Sequence, residues 1–403
     1  MEGALRDNTI FSSVYDFVLN HVVPDGWDGW EWAAYGIAAM SVIMLVVNSL
    51  FALTTWYTYF ERRLLGRFQN RIGPNRAGPF GLLQPIADAI KLLTKEDTLP
   101  RASDRLIFNV APVLMLATTF MIVAVIPFGE GSFLADLNIG ILYISGVSSM
   151  AVIAILMAGW ASANKYAMFG SMRAVAALIS YEIPVVLSLL SVVILTGSMS
   201  LVDIVEGQSL PYLLVLPLAF LVFVVGISAE LNRPPFDLAE AESEIIAGYH
   251  TEYSGMKFGI FQLAEFANVL LASAIITLIF LQGWRWAILP SHLWFLLKVF
   301  GTATLFIWIR ATLPRLRIDQ VLAFAWKFLL PLGLINVLAA AIEKLVWADP
   351  SNSELLLMAT INWGVAIVAV AVFATAVNNG RHVPVHTVIA GVPPGVSSAE
   401  GVY

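Results

Sequence analysis

The sequence predicts an all-α, polytopic transmembrane helical bundle of about nine spans, an eight-span core followed by a further C-terminal span, with long cytoplasmic loops. Three observations predict it. Of the 403 residues, 59% are hydrophobic and only 12% charged, about half the charge of a soluble domain. Apolar runs long enough to cross a hydrocarbon core of ~30 Å recur along the chain. Lys and Arg collect on alternate connections between those runs. The mean hydropathy is +0.81. The net charge of −6 gives no support to nucleic-acid binding. Cysteine is absent, which excludes disulfides, iron–sulfur ligation and cysteine–zinc sites within the chain.

Residues 1–31 open with Glu2, Arg6 and Asp7 and lack an early apolar run, unlike a signal peptide. They are expected to form an external cap, with Trp27, Trp30 and Trp32 at the membrane interface. The spans are expected near 32–59, 106–128, 140–161, 174–197, 211–229, 260–282, 290–309, 325–347 and 355–377. One membrane domain therefore covers 32–377, with inside loops at 60–105, 162–173, 230–259 and 310–324. The Gly/Pro/Ser-rich segment 378–403 reads as a flexible tail. Seventeen Lys and Arg fall on the loop side, against Arg6, Arg285 and Lys344 opposite. The positive-inside rule then places the N-terminus outside and the long loops in the cytoplasm.

The loop 60–105 begins turn-rich, with Gly66, Gly73, Pro74, Gly78, Pro79 and Gly81. Leu82, Leu83, Ile86, Ile90 and Leu93 then recur at helical spacing, opposite Gln84, Asp88, Lys91 and Lys95. This is an amphipathic helix too short to span, suited to lying in the interface as an anchor or beside a ligand entrance. The loop 230–259 is acidic. From Glu230 to Glu265 it carries Asp237, Glu240, Glu242, Glu244 and Glu252, opposed only by Arg233 and Lys257. Pro234 and Pro235 pre-set a helix start with Asp237 in its first turn, and Asp237, Glu240 and Glu244 would share a face. Carboxyls crowded in that way repel and titrate apart, which suits proton transfer; a solvated acidic loop is the plainer alternative. Glu182, Glu230, Glu265 and Lys298 fall in or at the ends of spans, where charge is costly; the glutamates suggest a buried proton path, whereas for Lys298 packing or membrane insertion is an equal explanation. Pro184 deprives the Ser180 carbonyl of its helix donor, so a kink or a water is expected near Glu182. Neither a GxGxxG nor a GxxxxGK[ST] pattern occurs, and the five histidines do not suggest a metal site.

These segments resemble the H subunit of NADH:quinone oxidoreductase (respiratory complex I), called subunit 1 in mitochondria. The resemblance covers roughly residues 55–345. It rests on Glu61 to Asp97, above all GLLQPIADAIKLLTKED; on Asn164 to Pro184; on PFDLAEAESEIIAGYHTEYSGMKFG from Pro235; and on WIRATLPRLRIDQ from Trp308. Ala177 stands where the family more often has glutamine, and the two termini exceed the common core. The resemblance implies a multi-pass subunit of the cell (inner) membrane, at the junction of the peripheral and membrane arms. Quinone would be its substrate, and FMN and iron–sulfur clusters would reside only in partner subunits. Glu61, Arg62, Arg71, Asp88, Arg310, Arg315 and Arg317 would line or neighbour a quinone chamber. Glu182, Glu230, Asp237, Glu240, Glu242, Glu244 and Glu265 would belong to a proton path. The chain would turn over only within the whole complex. Two alternatives remain open: an anchor subunit of a related membrane hydrogenase or other-donor dehydrogenase, and a stand-alone ion transporter.

Overall fold

The computed structural model describes residues 9–21, 31–237, 247–285, 289–348 and 350–379. Its regular elements are helical. In chain order they are α1 (Thr9–His21), α2 (Glu31–Phe68), α3 (Gln84–Thr94), α4 (Arg105–Val123), α5 (Gly140–Ala161), α6 (Lys165–Thr196) and α7 (Leu201–Gly207). There follow α8 (Tyr212–Val215), α9 (Pro217–Glu230), α10 (Gly255–Phe280), α11 (Ser291–Thr312), α12 (Ile318–Phe324), α13 (Leu330–Val346) and α14 (Asn352–Asn379). A π-helical turn, Ala325–Leu329, joins α12 to α13.

Among the described residues eight helices are long and apolar enough to cross a membrane. They match every predicted span except the fifth. That span is broken: α9 has 14 residues, about 21 Å, and Pro217 at its start lacks the N–H that would continue α8. The connections nevertheless sort into two groups, as nine crossings require. At one end, Ser200 Oγ donates to Asp136 at 2.7 Å, and an Arg285 guanidinium N–H donates to the Gln208 carbonyl at 2.7 Å. At the other, Thr98 N donates to Ser254 Oγ at 2.8 Å, Asn164 Nδ2 to Glu252 at 2.6 Å, and Leu316 N to the Pro235 carbonyl at 3.0 Å. Both long loops predicted to lie on one face meet at this second end.

Helix α10 is the hub. Its residues from Val269 to Phe280 are all buried, as expected for a helix apolar all round. Small residues set other approaches. A Cβ on Gly159 of α5 would stand 2.1 Å from Ser171 Oγ of α6, so this pair of spans packs through a glycine. Polar caps start the helices: Asp104 accepts from Leu106 N at 3.1 Å, and Asn164 from Tyr166 N at 2.9 Å.

Two differences from the sequence-based expectation have physical causes. Residues 1–31 include a helix, α1, whose Phe11 and Val18 bury against Ala34, Ala38 and Val42 of α2. At 13 residues it is too short to register as a span. Helix α2 continues past the predicted membrane edge at 59 to Phe68, and α6 starts at Lys165 rather than at 174. Charge ends a hydropathy window but not a helix, because Glu, Arg and Leu are good helix formers. Helix α6 also runs unbroken through Pro184. The predicted tail 378–403 lies outside the described residues from 380 onward.

Candidate functional site

The extension of α2 beyond the predicted membrane edge places Glu61 at 2% exposure. Its Oε1 accepts from Arg233, just after α9, at 2.9 Å and also from Arg310 near the end of α11. Three segments far apart in sequence thus meet on one carboxylate. Its other oxygen, Oε2, is buried and has no hydrogen-bond partner in the structure. Arg233 also lies over the Phe266 ring, 4.7 Å from its centre.

One helical residue on, Arg62 leaves the core and donates to Asp88 of α3 at 2.5 Å. Helix α3 is the predicted amphipathic helix. Leu82, Leu83, Ile86, Ile90 and Leu93 are all exposed on it or just before it, as an interface-lying face requires. Burial pushes the Asp88 carboxyl up, but the Arg62 hydrogen bond and charge, helped by Gln84 and Lys91, outweigh burial and hold it below its ordinary value. A depressed carboxyl contributes stability above its unfolded value and loses it as pH falls through the folded one. Arg62 is about half exposed, so the pair is worth no more than ~1 kcal/mol. Acidification should therefore loosen α3 modestly in the parent chain, and Asp88→Asn should abolish that pH dependence. Limited proteolysis of the 69–83 segment across acidic pH would measure it.

The turn before α3 is folded tightly. Gly81 adopts φ +82°, and a Cβ there would stand 2.4 Å from the Pro74 carbonyl oxygen. The Tyr59 hydroxyl donates to the Phe80 carbonyl at 2.8 Å, tying this turn back to α2.

Asp237 is 5% exposed and accepts from Arg315 at 2.8 Å. Just before it, Phe236 N closes a turn on the Arg233 carbonyl. Glu240, Glu242 and Glu244, with the helix predicted for them, lie outside the described residues. Glu265 of α10 accepts from the Tyr249 hydroxyl at 2.9 Å. Asp237, Glu265, Arg233 and Arg310 line one small cavity together with Asn232 and Gln262.

A second, larger crevice runs into the spans. Glu182 and Glu230 share its wall with Ser145, Ser148, Ser149 and Asn268, among many apolar side chains. Ser149 donates to Glu182. Asn268 accepts from Thr119 at 3.0 Å. Asn232 lines this crevice as well as the first cavity. Its φ of 49° is left-handed, a conformation asparagine tolerates better than most residues. Asn232 is therefore common to the wall that holds Arg233 and Arg310 and to the wall that holds Glu230 and Glu182.

Two predicted residues stay apart from this assembly. Arg71 donates to Gln69 at 2.7 Å on the exposed loop, and Arg317 is exposed at the start of α12. Lys298 also stands away from it, donating to the Leu281 and Gly283 carbonyls that end α10. Sequence reasoning placed Arg233 only as a counter-charge in the acidic loop, and it missed Asn232, Ser149 and Asn268. Asn268 had a signal: it lies three residues after Glu265, on the same helical face.

A family profile described as NADH dehydrogenase matches residues 40–341. The H subunit of NADH-quinone oxidoreductase from Dehalococcoides mccartyi (strain CBDB1) is 57% identical over 300 residues, 74% of this chain and 85% of that protein. The H subunit from Syntrophotalea carbinolica is 48% identical over 313 residues, covering 75% and 94%. That of Geobacillus kaustophilus is 46% identical over 324 residues, covering 78% and 96%. The matched region contains the Glu61 cluster, both cavities and the spans that build them, and the chain belongs to the NADH dehydrogenase family whose members are named as the H subunit of NADH-quinone oxidoreductase.

Proposed function

We propose that the chain is a membrane subunit of a proton-translocating NADH:quinone oxidoreductase. It forms much of the wall of a quinone chamber and couples quinone reduction to proton transfer through buried carboxylates. The observation that carries this reading is that Asn232 lines both the cavity of Arg233 and Arg310, which hold Glu61, and the crevice of Glu230 and Glu182.

The chemistry follows from the residues. A quinone tail partitions into lipid, and the exposed apolar face of α3 suits an entrance at the interface. Reduction of the headgroup adds electrons and protons. Guanidinium groups such as Arg310 and Arg233 stabilise negative charge as it develops, and their hold on Glu61 fixes their position beforehand. A change of charge there alters the field on Asp237 and Glu265 in the same cavity, and through them on the carboxyls beyond. Electrons arrive from partner subunits that carry FMN and iron–sulfur clusters. The basic loops lie on the cytoplasmic side, where their exposed Lys and Arg hold those partners, and the N-terminus lies outside the cell membrane.

The names of the relatives favour the quinone enzyme over a hydrogenase anchor or a stand-alone transporter. Photolabelling tests the chamber. A quinone analogue carrying a photoreactive group, irradiated in membranes that hold the intact complex, is expected to mark peptides containing Glu61, Asp88 or Arg310. Excess quinone should suppress the labelling. Labelling of this chain only at the opposite membrane face would contradict the assignment.

A further inference from the structure

The break in the fifth span leaves a carboxyl beside it that the proposed coupling path does not use. Between α8 and α9 the chain turns at Leu216, with φ −122° and ψ 64°, and Pro217 cannot donate a hydrogen bond. Carbonyls freed inside a membrane must find other donors. Helix α14 supplies them. Asn362 Nδ2 donates to the Val215 carbonyl at 2.9 Å, and Trp363 Nε1 to the Leu214 carbonyl at 3.2 Å. The same Asn362 amide donates to Glu343 Oε2 of α13, also at 2.9 Å. Glu343 is 5% exposed and Asn362 3%. The second carboxyl oxygen, Glu343 Oε1, is buried and has no hydrogen-bond partner in the structure.

Among the described residues no cation reaches this carboxyl. Helix α6 has no ionisable residue from Ile183 to Thr196 and contributes Ser191, which accepts from Asn336 of α13 at 2.6 Å. Helix α14 has none after Glu354, and α13 none before Glu343. The α8–α9 segment offers only the Tyr212 phenol before Glu230. The nearest cation along the chain, Lys344, donates instead to the Ala348 carbonyl at 2.7 Å. Asp203 accepts from Ser198 at 2.8 Å, and Glu354 from Ser351 N at 2.7 Å. Among the described residues, an ionised carboxylate here would be buried with one amide donor and no counter-charge, at a cost of several kcal/mol.

We propose that Glu343 is a proton-binding site, a neutral carboxylic acid that latches the ninth span onto the break in the fifth. Protonation removes the charge, leaves Oε2 to accept from Asn362 and gives Oε1 a proton to donate. The site exchanges its proton through the polar cleft at that end of the bundle, whose wall includes Lys344, Tyr212, Asp203 and Thr196. Its partner Asn362 lies on α14, well beyond residue 341 where the family profile ends, so the latch joins the C-terminal span to the eighth span of the core. It makes that extension a structural partner of the core.

Dicyclohexylcarbodiimide tests the proposal in native membranes, independently of the quinone reading. It reacts with protonated carboxyls in apolar surroundings. The acid's proton moves to a carbodiimide nitrogen, the carboxyl oxygen bonds to the central carbon, and the O-acylisourea rearranges to a stable N-acylurea retaining every atom of both reactants. Peptide mass spectrometry is expected to find the adduct on Glu343 at neutral pH and to lose it in Glu343→Gln. Heat stability of the detergent-solubilised complex, read as retention of this subunit, adds a measurement free of reagent access. Glu343→Gln, a neutral isostere, should match the parent at neutral pH, and only the parent should weaken on the alkaline side. A Glu343→Gln variant as unstable at neutral pH as Glu343→Ala would overturn the proposal. So would an unmodified Glu343 peptide at neutral pH together with stability profiles that do not differ.

Discussion

Replacing Glu61 with Gln is expected to abolish quinone-linked turnover while leaving electron transfer to a water-soluble artificial acceptor intact. Arg233 and Arg310 both converge on the Glu61 carboxylate. Gln keeps the size of the side chain but removes the charge that two largely buried guanidiniums share. Breaking one side of a buried ion pair costs about 3–5 kcal/mol. Arg310 retains 30% exposure of its side chain, so solvent offsets part of its loss; Arg233, at 11%, bears more. The result should be a displaced Arg233 and a quinone site deprived of both cations. A fall in quinone-linked rate of about a hundredfold or more corresponds to ~3 kcal/mol of lost transition-state stabilisation. The comparison of the two acceptors, made on complexes with confirmed assembly, separates a site defect from loss of the complex. Normal quinone reduction by Glu61→Gln would remove the cluster from the site.

Asn232→Leu is expected to separate the two halves of the path. Asn232 lines both cavities, so an apolar side chain there interrupts the polar lining at its junction. Leucine also carries a backbone penalty at φ 49°, on the order of 1–2 kcal/mol. Asn232→Gly provides the control: it relieves the backbone and leaves space for water. Proton translocation should fall by at least about tenfold in the Leu variant and persist in the Gly variant. Equal losses in both would mean that the asparagine amide itself is required. Equal retention would mean that the path does not pass this residue.

Much of this was legible in the sequence because membrane burial writes long signals. An apolar run of twenty residues is hard to mistake, and the bias of Lys and Arg orders the connections. The exposed apolar face of α3 followed from five residues at helical spacing. The partners of the charges were not legible. Glu61 and Arg310 are 249 residues apart, and Asp237 and Arg315 are 78 apart. No local pattern encodes a contact between chain segments that meet only after the bundle packs. At the described end of the acidic loop, the cation of Asp237 comes from elsewhere in the chain, Arg315, and Arg233 holds Glu61 of α2. The broken fifth span was hidden for a different reason. Pro217 sits at the start of α9, where proline suits a first helical turn as well as it suits a break. Only the donors from Asn362 and Trp363, on a span well over a hundred residues later, mark the break as a built feature.

The proposed coupling requires that the carboxyls of the inner crevice answer to the quinone site. Glu230→Gln in the intact complex tests this most directly, with NADH:quinone activity and proton translocation measured together and an artificial acceptor as control. Glu230 lies at the end of α9, two residues before Asn232, and shares the crevice wall with Glu182. Quinone-linked turnover and translocation are expected to be lost together, with transfer to the artificial acceptor retained. Parental turnover and parental translocation in an assembled Glu230→Gln complex would contradict the coupling.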